Sequence, residues 1–177
     1  MNFHECSVAG AREISPTPHD DNRGHFLRAW CHQEFMDHGI KFTPVQANMA
    51  FSRREGTIRG LHYQAAPAPE AKLVRCTRGA IFDVVVDLRQ DSPTYLSWHG
   101  LVLSAENAKM LYVPEGCAHG ALSLVDDTDL HYMASANFAP KHAFGVRFDD
   151  PAFNVQWPIP VTVVSEQDGG WPPYHSS

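Results

Sequence analysis

The 177-residue sequence has no run of about eighteen apolar residues, which argues against a hydrophobic transmembrane helix. Its first residues lack the basic and apolar segments of a secretory signal, so we expect a soluble, cytoplasmic protein. Cysteine is scarce, and the four cysteines form no C-x-x-C pair, which disfavours a disulfide scaffold and a structural zinc site. Lysine and arginine number 14 against 20 acidic residues, and the resulting net charge of −6 disfavours nucleic-acid binding.

What the sequence does contain is β-strand periodicity. The clearest strand signal is Ile81–Leu88, which is rich in β-branched residues and lies between the turn residues Gly79 and Asp91-Ser92-Pro93. One face of this segment is apolar, whereas the other carries Asp83 and Asp87 beside aliphatic residues. We therefore expect this strand to line a pocket that is partly polar.

Six further segments have strand character: Leu73–Arg78, His99–Ser104, Lys109–Val113, Asp129–Ser135, Phe144–Asp149 and Phe153–Trp157. Turn signals separate the segments every eight to twelve residues or so, which is typical of an antiparallel sandwich or barrel. Helical signal is confined to His32–His38 and a turn after Ser104, too little for the crossover helices of a parallel sheet. The sequence predicts one all-β domain over residues 1–177, with few short helices and an irregular tail at 169–177.

Several short blocks spread over residues 12–168 form a recognisable series. They are Asp21–Phe26, Gln46–Asn48, Arg59–Gln64, Ala71–Val74, Phe82–Arg89, Asp91–Thr94, Val113–Gly120, and Asp150-Pro151 through Trp157-Pro158. In their order and spacing these blocks resemble the dTDP-4-dehydrorhamnose 3,5-epimerase family. The resemblance implies a cupin-like antiparallel β-barrel or jelly roll, usually a homodimer, whose N-terminal strands could be exchanged between subunits. It also implies a cofactor-independent, metal-free isomerase of deoxysugar biosynthesis that inverts C3, C5 or both in a nucleotide-linked 4-keto-6-deoxyhexose.

This chemistry needs a base, a donor to the enolate oxygen and an acid on the opposite face of the sugar, because the C3 and C5 hydrogens flank the C4 ketone. The resemblance assigns the base to His62 and its orienting carboxylate to Asp168. A carboxylate on the second ring nitrogen would fix the tautomer and stabilise the imidazolium. From the sequence alone, Asp83 is a rival partner for His62. The resemblance also assigns the acid to Tyr132 and the cation near the enolate oxygen to Lys72.

Substrate-binding residues implied by the resemblance are Arg23, Phe26, Arg28, Gln46, Asn48, Arg59, His119 and Phe138. Arg23 and Arg59 would contact the diphosphate, since bidentate guanidinium geometry suits phosphate oxygens. His119 would donate to the substrate. In a strictly alternating strand Arg59 and His62 point to opposite faces, so either a bulge intervenes or Arg59 serves another site, such as one across a dimer interface.

Three positions depart from the family pattern where it holds the nucleotide: Arg28 and Ala143 each replace an acid, and Phe138 replaces a stacking tyrosine. Phe138 can still stack on a base, but arginine in place of an acceptor changes which base edge would be satisfied. The sequence therefore predicts a differently based or differently modified sugar nucleotide rather than a thymidine one.

Three other functions remain open at this level. A metal-dependent cupin dioxygenase would need an H-x-H ligand pair, but the corresponding stretch is His62-Tyr63-Gln64, with glutamine in place of the second ligand. A sugar-nucleotide 3,4-ketoisomerase on the same barrel would move the ketone instead of inverting a carbon. A sugar-binding barrel without activity would not need a base, an acid and an oxyanion donor together.

Overall fold

The computed structural model describes residues 1–174. Thirteen strands, two short α-helices and one 3-10 helix at Pro140–His142 lie in these residues. The strands are β1 (Asn2–Glu5), β2 (Arg12–Ser15), β3 (His19–Asp21), β4 (Gly24–Phe26), β5 (Gln46–Ser52), β6 (Ile58–Gln64), β7 (Lys72–Arg78), β8 (Ala80–Asp87), β9 (Trp98–Ser104), β10 (Met110–Val113), β11 (Cys117–Ser123), β12 (Thr128–Ala134) and β13 (Ala143–Gly145). The α-helices are α1 (His32–Asp37) and α2 (Glu166–Gly169). In this part of the chain no helix is long and apolar enough to span a membrane.

Two antiparallel sheets form the body of the fold. One has six strands in the order β1-β2-β10-β7-β12-β5, and the other has five in the order β13-β6-β11-β8-β9. Strands β3 and β4 form a separate hairpin in which every residue is exposed. The prediction of an all-β, cupin-like antiparallel fold with few short helices is confirmed.

Alternation along the strands divides the apolar residues among three layers. The inner layer joins residues such as Val74 and Leu111 of the six-stranded sheet to Ile81 and Val85 of the five-stranded sheet. An outer layer packs α1 and its flanking residues on the back of the six-stranded sheet. Another packs the segment after β13 on the back of the five-stranded sheet. The inner layer fills only part of the space between the sheets.

Strand β6 carries a bulge that settles the orientation of Arg59 and His62. His62 lies opposite His119 of β11, but Arg59 lies opposite Ala121, so β6 uses one residue more than its partner between these pairs. The bulge lies where Gly60 meets Gly120, and a Cβ built on Gly60 would be 2.7 Å from the Gly120 Cα. Two facing glycines thus allow an irregularity that brings residues three apart to the same cavity.

The predicted strands hold for most of the chain. Strands β7 to β10 and β12 coincide with predicted segments to within one or two residues at each end, and α1 coincides with the predicted helix. The prediction of Phe144–Asp149 is too long, because the strand ends at Gly145 and of the residues beyond it only Val146 still exchanges backbone hydrogen bonds with β6, at Leu61. The prediction of a strand at Phe153–Trp157 is wrong. Its alternating apolar side chains pack on the five-stranded sheet without pairing, and the Trp157 indole donates to the Phe148 carbonyl (2.9 Å).

The predicted irregular tail at 169–177 agrees with the structure over residues 170–174. Residue 169 ends α2, and residues 170–174 form no regular secondary structure, as expected for an irregular tail. Residues 175–177 lie outside the described residues. The helix α2 itself is not among the predicted elements.

The close approach of β6 and β11 predicts that Gly60→Ala destabilises the fold. Gly60 has a φ of +118°, and a Cβ would also lie 2.7 Å from the His119 carbonyl oxygen. We expect a loss of about 2–3 kcal/mol in the free energy of unfolding, measured by urea denaturation. Gly39→Ala is the matched control, since Gly39 has a φ of +74° with nothing within 4 Å of its Cβ. It should cost only about 1 kcal/mol; equal losses in the two variants would contradict the steric argument.

Candidate functional site

Two adjoining cavities, of about 410 and 380 Å³, open between the sheets beyond the inner layer. His62, Lys72 and Tyr132 line both cavities, so we treat them as two chambers of one cleft. The first chamber is also lined by Ala50, Thr57, Ile58, Arg59, His119, Ala121, Leu130, Val163, Val164, Ser165 and Asp168. The second chamber is also lined by Gln46, Asn48, Tyr63, Gln64, Glu70, Phe138, Ala143, Phe144, Gln167 and Trp171.

Asp168, not Asp83, is the carboxylate that reaches His62. Asp168 Oδ1 lies 2.6 Å from His62 Nε2, and its Oδ2 accepts a hydrogen bond from the Gly60 N–H (3.2 Å). Because an ionised carboxylate only accepts hydrogen bonds, the proton of the neutral His62 ring is assigned to Nε2. Within residues 1–174 the other ring nitrogen, Nδ1, makes no hydrogen bond. The His62 side chain is 44% exposed, so this free nitrogen belongs to a ring that solutes can reach.

The residues just before Asp168 fix its position. Ser165 caps the N-terminus of α2, and its hydroxyl accepts a hydrogen bond from the Asp168 N–H (3.1 Å). Burial alone would raise the pKa of Asp168, but its hydrogen bonds and the adjacent His62 lower the pKa below the ordinary value. Asp168 is therefore an ionised carboxylate next to His62 at neutral pH.

Tyr132 and Lys72 face His62 from the opposite sheet. Burial, with a further contribution from Glu70, raises the pKa of the Tyr132 phenol, which therefore remains protonated and able to donate. Lys72 is only 8% exposed, and this burial lowers its pKa although Glu70, 3.7 Å from its ammonium, opposes the change. A phenol and a lysine thus form one wall of the cleft, and an imidazole forms the other.

His119 forms a second histidine–aspartate pair in the first chamber. Its Nε2 lies 2.8 Å from Asp83 Oδ1, and His119 and Asp83 are 8% and 0% exposed. With the proton on Nε2, the neutral ring presents Nδ1 as an acceptor for a sugar hydroxyl, and only the protonated ring could donate. The predicted partly polar face of β8 is therefore present, with Asp83 supporting a residue of the cleft. Asp87 instead accepts hydrogen bonds from the turn at Arg89–Thr94.

The second chamber contains three of the predicted substrate-binding residues. Gln46 donates from Nε2 to Asn48 Oδ1 (3.1 Å), and the Asn48 amide nitrogen is buried without a hydrogen-bond partner in residues 1–174. Phe138 is 64% exposed at the mouth, beside Ala143. The chamber therefore offers an unused donor, an exposed aromatic ring and a small apolar patch.

Arg59 lies at the rim of the first chamber, on the same side as His62. Its Nε donates to Ser52 Oγ (3.1 Å) and its Nη2 to the Phe51 carbonyl (2.7 Å), both at the end of β5. Of the two possibilities left open by the sequence, the bulge in β6 is the one that the structure contains. A guanidinium held by two hydrogen bonds at a cavity rim is suited to an anionic group.

Arg23, Phe26 and Arg28 lie outside the cleft of the chain that carries them. Arg23 pairs with Asp21 in the exposed hairpin, and Phe26 is 70% exposed. Arg28 pairs with Glu34 at 2.8 Å. The prediction that these three residues bind substrate stays a prediction, and it requires that the hairpin reach a different cleft.

Sequence reasoning missed Glu70 and the aromatic wall formed by Tyr63, Phe144 and Trp171. Glu70 had a usable signal, because residues two apart in an extended chain, such as Glu70 and Lys72, share a face. The aromatic wall had none, because Trp171 reaches the cleft from the C-terminal segment by packing on Gly145.

Among residues 1–174, no group of three His, Cys, Asp or Glu side chains is arranged to hold a metal ion.

Comparison with known proteins gives one consistent family. The family model described as dTDP-4-dehydrorhamnose 3,5-epimerase matches residues 5–176. The dTDP-4-dehydrorhamnose 3,5-epimerase of Sinorhizobium fredii is 42% identical over 173 residues, which cover 97% of this chain and 89% of the relative.

Solved structures agree with the sequence matches. The crystal structure of dTDP-4-dehydrorhamnose 3,5-epimerase from Bacillus anthracis, with TDP and PPi bound, superposes with a TM-score of 0.94 at 36% identity, covering 98% of this chain and 99% of that one. A 4-keto-6-deoxy sugar epimerase from the novobiocin gene cluster of Streptomyces spheroides has a TM-score of 0.92 at 35% identity, covering 98% of this chain and 87% of that one.

Proposed function

The chain belongs to the dTDP-4-dehydrorhamnose 3,5-epimerase family, and on that premise we propose that its cleft inverts C3, C5 or both in a nucleotide-linked 4-keto-6-deoxyhexose. The observation that carries the proposal is the arrangement of a base and an acid on opposite walls. His62, supported by Asp168, stands on the five-stranded sheet, and Tyr132 stands on the six-stranded sheet. Inversion at carbon requires that the proton leave one face and return to the other.

The first step is removal of a proton from the carbon next to the C4 ketone. The unprotonated Nδ1 of His62 accepts the proton, and the C–H electron pair moves into the enolate formed with the ketone. Asp168 stabilises the resulting imidazolium through the hydrogen bond to Nε2. The negative charge that develops on O4 is stabilised by Lys72. Because Lys72 is buried, solvent screens this electrostatic interaction less than it would at the surface.

The second step returns a proton to the opposite face. The Tyr132 phenol, kept protonated by its raised pKa, donates to the enolate carbon and restores the ketone with inverted configuration. Solvent then returns His62 and Tyr132 to their starting protonation states, so the reaction is balanced without a redox partner. This sequence of steps accounts for each member of the predicted catalytic set.

The second chamber is proposed to bind the nucleotide. Asn48 supplies an unpaired donor and Phe138 an exposed ring on which a base can stack. The related structure with TDP and PPi bound supports a nucleoside diphosphate as the ligand class. Arg59, at the rim of the first chamber, is proposed to contact the diphosphate.

We further propose that the active unit is a homodimer in which each hairpin β3–β4 completes the partner's cleft. Strand β5 is an edge strand whose outward face exposes Met49 (69%) and Phe51 (41%), and the hairpin exposes Phe26. The apolar side chains of β5 and the Phe26 ring of the otherwise polar hairpin are uncovered in the single chain, which is typical of an interface between subunits. The arrangement would bring Arg23 to a diphosphate that it does not reach in its own chain.

Variants of the base and the acid should separate the two proton transfers. In deuterium oxide the wild-type enzyme should place deuterium at the inverted carbon. His62→Asn should reduce exchange by about 10³-fold, because no base remains. Tyr132→Phe should reduce inversion by about 10²-fold but retain exchange, because the His62 imidazolium can return a deuteron to the face it came from.

NMR of the labelled sugar measures both quantities and identifies whether C3, C5 or both react. Tyr95→Phe is the matched control, since the Tyr95 hydroxyl bonds to Tyr174 (3.0 Å) outside the cleft, and it should leave both rates unchanged. Inversion at the wild-type rate in Tyr132→Phe would rule out the assigned acid. Migration of the ketone would instead identify a ketoisomerase.

The base of the nucleotide can be tested with dTDP-, CDP-, GDP- and UDP-linked 4-keto-6-deoxy sugars. The three departures at the nucleotide positions predict a higher kcat/KM for a substrate other than the dTDP sugar. Phe138→Tyr and Ala143→Glu, which restore the family residues, should shift the preference toward dTDP because they add hydrogen-bonding groups beside the base. A clear preference of the wild-type enzyme for the dTDP sugar would contradict the prediction.

Mixing two inactive variants tests the shared cleft. A dimer that combines one His62→Asn chain with one Arg23→Ala chain has one cleft with both residues intact if Arg23 acts across the interface. Random reassociation should therefore restore about a quarter of wild-type activity, because half of the dimers are hybrids and half of their clefts are complete. No recovery after exchange of subunits, verified by light scattering and a mass tag on one variant, would show that Arg23 acts within its own chain, and an Arg23→Ala homodimer with wild-type activity would show that Arg23 has no role.

A further inference from the structure

The loop that carries Phe138 is held by one glutamine from each sheet. Gln64, near the end of β6, accepts a hydrogen bond from the Ala139 N–H at Oε1 (2.7 Å) and donates from Nε2 to the Asn137 carbonyl (3.3 Å). From the other sheet, Gln46 Oε1 accepts a hydrogen bond from the Phe138 N–H (3.1 Å). Three consecutive residues of the loop are thus attached through their backbone.

The ring of Phe138 has little packing of its own. Its side chain is 64% exposed, so contacts with the core cannot fix its position at the mouth of the second chamber. By contrast, Gln64 is only 3% exposed and uses Nε2 a second time, in a hydrogen bond to the Ala68 carbonyl (3.1 Å). The position of the ring therefore depends on backbone hydrogen bonds to a buried amide.

Gln64 is the more informative of the two glutamines. Gln46 also bonds to Asn48, so its removal would disturb a predicted substrate contact directly. Gln64 also lines the second chamber, but all the hydrogen bonds of its side-chain amide go to loop backbone, so its polar groups act on a ligand through the loops that they hold. Buried backbone groups that lose such a partner are costly, and a loop freed in this way samples other positions.

We propose that Gln64 is a positioning residue for nucleotide recognition. It holds the Phe138 ring where the ring can stack on the nucleotide base of the substrate. The inference rests on the proposed function, because it assumes that the second chamber holds the nucleotide. It adds a determinant of affinity that lies two residues from the proposed base, His62, but takes no part in proton transfer. A purely structural role for Gln64 would lower stability without changing binding selectively.

The test compares Gln64→Leu, Phe138→Ala and the double variant. Gln64→Leu should raise the Kd for dTDP, and the KM for the nucleotide sugar turned over fastest, by about tenfold with kcat within about twofold. In the Phe138→Ala background the same change should add less than about twofold, because the ring through which Gln64 acts is gone. Hydrogen exchange of the Phe138 and Ala139 amides should be about tenfold faster in Gln64→Leu.

Gln156→Leu is the matched control, because Gln156 also donates to a backbone carbonyl, that of Asn154 (2.9 Å), but is exposed and does not line either chamber. It should leave Kd, KM and kcat unchanged. Independent, additive effects of Gln64→Leu and Phe138→Ala on Kd would overturn the proposal, as would a fall in kcat equal to the rise in KM. Unchanged exchange of the loop amides would overturn it too.

Two safeguards keep the outcome interpretable. If Gln64→Leu does not fold, Gln64→Met, which has a more flexible side chain of similar length, replaces it in the same cycle. If the wild-type enzyme neither exchanges protons in any 4-keto sugar nor binds dTDP, the proposed function fails, whereas the amide exchange still reports whether Gln64 holds the loop. Loss of the loop restraint without any effect on binding is the result that refutes the inference alone.

Discussion

The carboxylate of Asp168 is the group on which the rest of the cleft depends. One oxygen fixes His62, and the other accepts the N–H of Gly60 at the bulge of β6. The Ser165 cap in turn fixes Asp168 on α2. A side chain far along the sequence therefore determines the tautomer of the imidazole and also supports the irregular strand that presents it. Either function alone could be supplied by other groups, but together they require a short helix docked against this strand.

In the cleft, buried polar groups take the place of hydrophobic core, and their burial lowers the stability of the fold. Lys72, His119, Asp83 and the Asn48 amide are buried between the sheets, where the inner apolar layer ends. Burying such groups is unfavourable unless each finds a partner, and several are only partly satisfied. The two outer apolar layers offset this cost, because they bury additional side chains against the backs of both sheets. In this fold the polar cleft between the sheets is accompanied by apolar cover on the outside of both sheets.

Strands with strong alternation could be predicted from the sequence, and the others could not. Segments such as Ala80–Asp87 combine β-branched residues with turn residues at both ends, whereas His19–Asp21 and Gly24–Phe26 are short and polar. Alternation at Phe153–Trp157 reflects packing without pairing. The choice of Asp168 over Asp83 depends on a contact between residues 106 positions apart, which no local pattern encodes. The family blocks supplied the candidate residues, and the geometry supplied their partners.

The proposed acid–base groups and the proposed stacking ring are held by different kinds of structure in this fold. His62, Lys72 and Tyr132 stand on paired strands, whose backbone hydrogen bonds and core neighbours leave little freedom. The ring of Phe138 stands on a loop, attached only through its backbone. A change of nucleotide preference can therefore arise by substitutions on loops and at Ala143 without moving the catalytic set. The positions where this chain departs from the family pattern are Arg28, Phe138 and Ala143, and none of them belongs to the proposed acid–base set. This distribution follows if proton transfer requires a geometry that only the sheets can hold, while the nucleotide base of the substrate needs only a surface of suitable shape.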